Sequence, residues 1–110
     1  MTAVVGETIT LPCRTTLTSP VDWYFVPSGN QSGSFVCSAG NILNGYTRRM
    51  TLDRSAAGDF SLVIRNVNRQ DAGLYICTED AGLGLKHRIR LTVQGTVNIL
   101  LTFCTANRKL

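Results

Sequence analysis

Apolar and polar residues alternate in short runs along almost the whole chain, and turn residues break the alternation about every 8–12 positions. In Glu7–Arg14 the residues on one side are Ile9, Leu11 and Cys13, and in Val21–Val26 they are Val21, Trp23 and Phe25. Ser34–Ser38 follows the turn Pro27-Ser28-Gly29-Asn30, and a weaker run, Asn41–Tyr46, is bounded by Gly40 and Gly45. Arg48–Asp53 and Asp59–Arg65 flank the turn Ser55-Ala56-Ala57-Gly58, and Phe60, Leu62 and Ile64 point one way. Past the polar turn Asn68–Gly73, Leu74–Glu79 buries Tyr75 and Cys77, and Lys86–Gln94 turns Ile89, Leu91 and Val93 inward. A period of two belongs to strands with one buried face, and no run of about ten residues keeps a helical period. The predicted fold class is all-β, a two-sheet antiparallel sandwich, and the 28 β-branched residues among 110 favour it.

The length suits one domain with a single core. Hydrophobic residues at 44% exclude wholesale disorder, and a net charge of +4 permits a polyanionic partner without requiring one. No apolar run reaches the roughly 18–20 residues of a membrane span. Met1 leads straight into strand-like sequence rather than a secretory leader, and is read as the start of a fragment of a larger protein. Residues 1–95 are expected to form the domain and 96–110 a tail. Val97, Ile99, Leu101 and Phe103 alternate with Asn98, Leu100, Thr102 and Cys104 in that tail, as an added strand would. A vector-derived extension is the alternative reading.

The four cysteines, Cys13, Cys37, Cys77 and Cys104, form no CxxC, and His87 is the only imidazole, so a zinc site is not expected. Disulfides in an oxidising compartment account for them better, and four cysteines leave three pairings open. No nucleophile or acid–base constellation accompanies His87, read as a solvent-facing or edge residue, or Glu79-Asp80, read as a solvated loop pair too small for calcium. No catalytic, cofactor-binding or metal-binding residue is assigned. Lys86, Arg88 and Arg90, spaced by two, share a strand face and are candidates for a sulfated glycan; nearby aromatics for stacking on bases are lacking, which argues against nucleic acid. Asn30-Gln31-Ser32 is an N-glycosylation sequon.

Cys13, Trp23 ten residues later, and Asp71-Ala72-Gly73-Leu74-Tyr75-Ile76-Cys77 together resemble the core pattern of an immunoglobulin domain. The 52 positions from Trp23 to Tyr75 leave room for the extra strand of a V-type domain. The resemblance covers residues 3–95 and implies a Cys13–Cys77 bridge packed on Trp23, a tyrosine corner at Tyr75, and an ion pair between Arg49 and Asp71, with Arg48 the alternative partner. Cys37 and Cys104 are then expected outside the core. It implies sheets A-B-E-D and A′-G-F-C-C′-C″, with C at Val21–Val26, C′ at Ser34–Ser38, C″ at Asn41–Tyr46, F at Leu74–Glu79 and G at Lys86–Gln94. Rearranging receptors close strand G with a Phe-Gly-x-Gly joining pattern, whereas here Lys86 and Arg88 hold the glycine positions. The chain is thus more similar to innate V domains: polymeric-immunoglobulin-receptor-like, novel immune-type receptor, or early-chordate.

That resemblance implies a non-enzymatic recognition module, the V domain of a secreted or cell-surface immune or adhesion receptor, binding protein partners through its loops or its G-F-C-C′-C″ face. The alternative is a lectin-like domain using the basic stripe. Parity places Asp22, Tyr24 and Val26 of strand C and Leu74, Ile76 and Thr78 of strand F on the outer face, where four apolar or aromatic residues among six mark an interface. Phe35 or Val36 adds to it according to register. A homodimer through this face is expected.

Overall fold

The computed structural model describes residues 1–15, 21–29, 32–79, 84 and 86–95. They form nine strands: β1 (Thr2–Val4), β2 (Ile9–Leu11), β3 (Val21–Pro27), β4 (Ser34–Ser38), β5 (Asn41–Ile42), β6 (Met50–Asp53), β7 (Ser61–Ile64), β8 (Gly73–Glu79) and β9 (Lys86–Gln94). A single 3₁₀ turn, Arg69–Asp71, precedes β8. One sheet has the order β1-β9-β8-β3-β4-β5 and the other β2-β7-β6. The all-β sandwich read from the alternation is the fold.

Strand parity explains the core. Along β3 and β8 every second residue is buried, so Val21, Trp23 and Phe25 meet Tyr75 and Cys77 between the sheets. Leu11, Leu62 and Ile64 face them from the smaller sheet. Cys13 and Cys77 are joined by a disulfide with Cα atoms 6.5 Å apart. Trp23 is fully buried, yet its indole N–H donates to the Phe60 carbonyl at 2.9 Å, so burial leaves no orphan donor. Phe25 and Tyr75 stack with ring centroids 4.5 Å apart.

Three expectations require correction. The first concerns Cys37, which is fully buried in the core cluster as a free thiol and not outside it. The cause is a register shift: Trp23 pairs with Cys37 and Tyr24 with Phe35, so Val36 is the extra residue of a bulge and both Val36 and Cys37 turn inward. Cys104 lies outside the described residues.

The second concerns the smaller sheet, which has three described strands and no strand A beyond β2. The first described strand, β1, instead joins β9 in parallel, with Thr2 opposite Thr92. Third, the C″ strand is only Asn41–Ile42. Beyond it Asn44-Gly45, with Gly45 at φ +97°, turns the chain; the Tyr46 amide donates to Leu43 and the Met50 amide to Tyr46, and β6 starts at Met50.

Candidate protein-binding face

The outer side of the six-stranded sheet is laid out in rows fixed by strand register. The central row runs Arg88, Ile76, Tyr24, Phe35 across β9, β8, β3 and β4. On one side lies the row Lys86, Thr78, Asp22, and on the other Arg90, Leu74, Val26. Asp22, Tyr24, Val26, Leu74, Ile76 and Thr78 are all half-buried, and Phe35 is 47% exposed. The bulge therefore settles the C′ register: Phe35 faces out and Val36 in.

Tyr24 and Phe35 meet edge to face, centroids 4.9 Å apart and planes at 76°. Gly33 makes room for that pair, since a Cβ there would come within 2.5 Å of the Tyr24 ring. Neither the glycine's role nor the pair was legible from spacing, because both depend on the bulge. Asp22, Tyr24, Phe35, Ile76, Thr78, Lys86 and Arg88 line an open hollow of about 250 Å³. A larger hollow of about 410 Å³ lies beside Tyr46 and Arg49, but there the Arg49 guanidinium is already engaged by Asp71. What distinguishes the sheet-face hollow is its apolar floor under a cationic rim.

The rim comes from β9. Lys86, Arg88 and Arg90 are exposed on one face of the strand, as their spacing by two dictates. Asp22 is the acidic member of the three rows, and its Oδ1 accepts the Ala39 amide at 2.7 Å. The face therefore carries three cations along one edge, aromatic rings along the other, and aliphatic residues between.

The inner face of β9 differs from expectation. His87 is half-buried on the core side rather than solvent-facing, opposite Cys77, and its Nε2 lies 3.5 Å from Glu79 Oε2. Glu79 is buried at the end of β8 rather than solvated, while Asp80 lies outside the described residues. Within the described residues His87 Nε2 has no hydrogen-bond partner. These two groups lie on the core side of their strands, away from the row of cations.

At the opposite end of β8, Arg49 contacts both oxygens of Asp71 and the Tyr75 hydroxyl donates to the Asp71 carbonyl. The sequon asparagine, Asn30, and the tail 96–110 lie outside the described residues. Among the described residues no group of three or more His, Cys, Asp or Glu side chains is placed to hold a metal.

Residues 1–94 match the Immunoglobulin V-set domain, and the chain belongs to that family. It is 28% identical over 82 residues to the Ig kappa chain V region 3368 of Oryctolagus cuniculus, an alignment spanning 73% of each chain. Among solved structures it is similar to the first immunoglobulin domain of ZIG-8, solved as a homodimer, with TM-score 0.72, 18% identity, and 86% and 77% of the two chains covered. It is also similar to a chain of the Dpr1 IG1 complex with DIP-eta IG1, with TM-score 0.66, 19% identity and coverage of 86% and 87%. A third is the extracellular domain of the voltage-gated sodium channel beta4 subunit, with TM-score 0.63, 18% identity and coverage of 87% and 90%.

Proposed function

We propose that the chain is an extracellular recognition module of an immune or adhesion receptor, and that it binds a protein through the outer face of the six-stranded sheet. The observation that carries this reading is the row Ile76, Tyr24, Phe35, an apolar and aromatic strip beside Arg88, left half-open on a face that an isolated antiparallel sheet would keep polar. The similar structures support a protein partner: one is described as a homodimer, one as a complex between two IG1 domains, and one as parallel homodimers with a role in cell-cell adhesion. A second copy of the chain is the first partner to test, since self-pairing of one patch about a two-fold axis is the commonest assembly. In this reading Lys86, Arg88 and Arg90 rim a protein interface and are not a sulfated-glycan site.

Sedimentation equilibrium of the chain and of Ile76→Asp tests the assignment. The expected result is reversible association that the carboxylate at position 76 abolishes while thermal unfolding stays cooperative. Association unaffected by Ile76→Asp would remove the interface from this sheet. Salt separates the glycan alternative, because a polyanion bound by three cations is lost steeply between about 50 and 200 mM salt, whereas an apolar strip holds.

A further inference from the structure

We propose that the outer edge of β6, left bare by the short C″ strand, takes an extended segment of a partner protein as an added strand. Apolar side chains of that segment fill the hollow between β5 and β6, and an acidic residue of it meets Arg54. This seam is distinct from the outer face assigned above, and the two readings stand or fall separately.

The backbone identifies the kind of occupant. β6 pairs with β7 alone, and the Arg65 amide donates to the Arg49 carbonyl at 2.7 Å, which fixes the alternation of that ladder. Counted from this bonded pair, Arg49, Thr51 and Asp53 bond across to β7. The amide and carbonyl of Leu52 and the carbonyl of Met50 then point to the open edge. On the other side of the seam, the Leu43 amide donates to the Val36 carbonyl at 3.0 Å. By the same alternation Ile42 turns its amide and carbonyl away from β4. Among the described residues no backbone group pairs with these edges, because the chain turns at Asn44-Gly45 and runs through Tyr46 straight to Met50. An extended chain is the ligand that satisfies such a row of donors and acceptors.

The side chains define what that chain carries. Ile42, Met50, Thr51, Leu52 and Arg54 line an open hollow of about 350 Å³ between the two edges. Met50 is buried and Ile42 and Leu52 are half-buried, so alternate apolar residues of an added strand meet an apolar floor. Edge strands are commonly guarded by lysine, proline or a standing charge. β6 has neither lysine nor proline, and the charges flanking it are turned to partners within the chain. Arg49 is held by Asp71, and the Asp53 carboxylate accepts the Ser55 amide at 3.0 Å. Arg54 differs: it is exposed, lies 3.9 Å from the centroid of the Phe60 ring, and has no carboxylate in ion-pair contact among the described residues. That cation at the end of β6 is complementary to an acidic residue on the incoming strand. A second copy suits the edge less well, since antiparallel pairing of β6 with β6 sets Arg54 of each copy at the Arg48 end of the other, cation toward cation.

The probe is the end-blocked hexapeptide Glu-Val-Thr-Val-Thr-Val, titrated into the isotope-labelled chain and followed by amide NMR. Saturable shifts centred on Ile42 and Leu52 are expected, and Ile76→Asp, on the other sheet face, should bind as the parent does. Two further forms of the peptide are N-methylated, one at the valines and one at the threonines. Alternate residues of a strand bond to opposite sides, so one form is expected to bind about tenfold more weakly and the other unchanged. Arg54→Ala should weaken the parent peptide about threefold and remove the salt dependence of its binding. Equal binding by all three peptides overturns strand addition, and no shift at Ile42 or Leu52 at the peptide's solubility limit overturns the site. Shifts of the same amides that grow with protein concentration and without peptide give the edge to a second copy and overturn the heterologous partner.

Discussion

The guanidinium of Arg49 grips both carboxylate oxygens of Asp71, at 2.8 and 2.9 Å. Asp71 is 4% exposed, and it does three further things. Its Oδ2 accepts the Asn68 amide at 2.9 Å, its amide donates to the Asn68 carbonyl at 3.0 Å, and its carbonyl accepts the Tyr75 hydroxyl at 2.6 Å. One acidic residue thus ties the residue before β6, the 3₁₀ turn and the start of β8 together.

Removing the guanidinium leaves that carboxylate buried without its counter-ion. Arg49→Ala is expected to cost about 3 kcal/mol, the low end for one side of a buried pair, because the Arg49 side chain keeps a third of its surface in solvent. Arg48 is exposed and engages Arg65 through its backbone carbonyl, so Arg48→Ala should stay within about 0.5 kcal/mol of the parent. Urea unfolding of the two variants, compared at equal slope, checks both figures.

Cys37 should be chemically silent in the folded chain. Burial pushes its thiol from 9.0 up to about 11, and the thiol donates to the Val21 carbonyl at 3.7 Å. In a Cys104→Ser chain, a thiol reagent at pH 8 is expected to label Cys37 only after denaturation. The sign of the pH effect follows. The folded state holds this proton more tightly than the unfolded state, so the contribution is complete below the unfolded value and is lost as pH rises toward 11. Replacing Cys37 by Val should flatten that alkaline decline in a pH series of urea midpoints; prompt labelling of the native chain would place the thiol at the surface instead.

The disulfide between Cys13 and Cys77 spans 64 residues of sequence. Closing so long a loop restricts the unfolded chain, and the paired Cys13→Ala, Cys77→Ala variant is expected to lose about 4 kcal/mol. Non-reducing peptide mapping identifies the bridge, and thermal unfolding of the variant measures its worth.

Two glycines separate strain from space. Gly73 has φ +151°, and a Cβ there would be driven into the Val26 carbonyl oxygen. Gly73→Ala should cost about 3 kcal/mol, combining overpacking with backbone strain. Gly45 also has positive φ, +97°, but its Cβ would meet open space, so Gly45→Ala should cost only about 1 kcal/mol. Equal losses at the two sites would contradict the close approach of β8 to β3.

The sandwich itself was legible in the sequence because side-chain parity is a local property. Val21, Trp23 and Phe25 alternate with Asp22, Tyr24 and Val26 whatever the strand pairs with, so which side is buried follows from which side is apolar. The same rule puts Lys86, Arg88 and Arg90 on one exposed face and Ile89, Leu91 and Val93 on the other. Spacing from Cys13 through Trp23 to Cys77 is likewise a matter of chain length between strands, and it directs the reading to one family. Asn44-Gly45 signals a turn, yet the sequence did not reveal that it would cut the C″ strand to two residues, because strand length depends on the neighbour available to pair with.

Tertiary structure decided whatever depends on how one strand slides against another. A single extra residue opposite the Trp23–Tyr24 step turns Val36 and Cys37 inward together and Phe35 outward, and no alternation in Ser34–Ser38 announces it. The choice of Arg49 over Arg48 beside Asp71, the approach of His87 to Glu79, and the alignment of Arg88 with Phe35 across four strands are of the same kind. A local sequence carries the period of its own strand, but register is set by the sum of contacts the whole sheet can satisfy at once, and only the folded chain performs that sum.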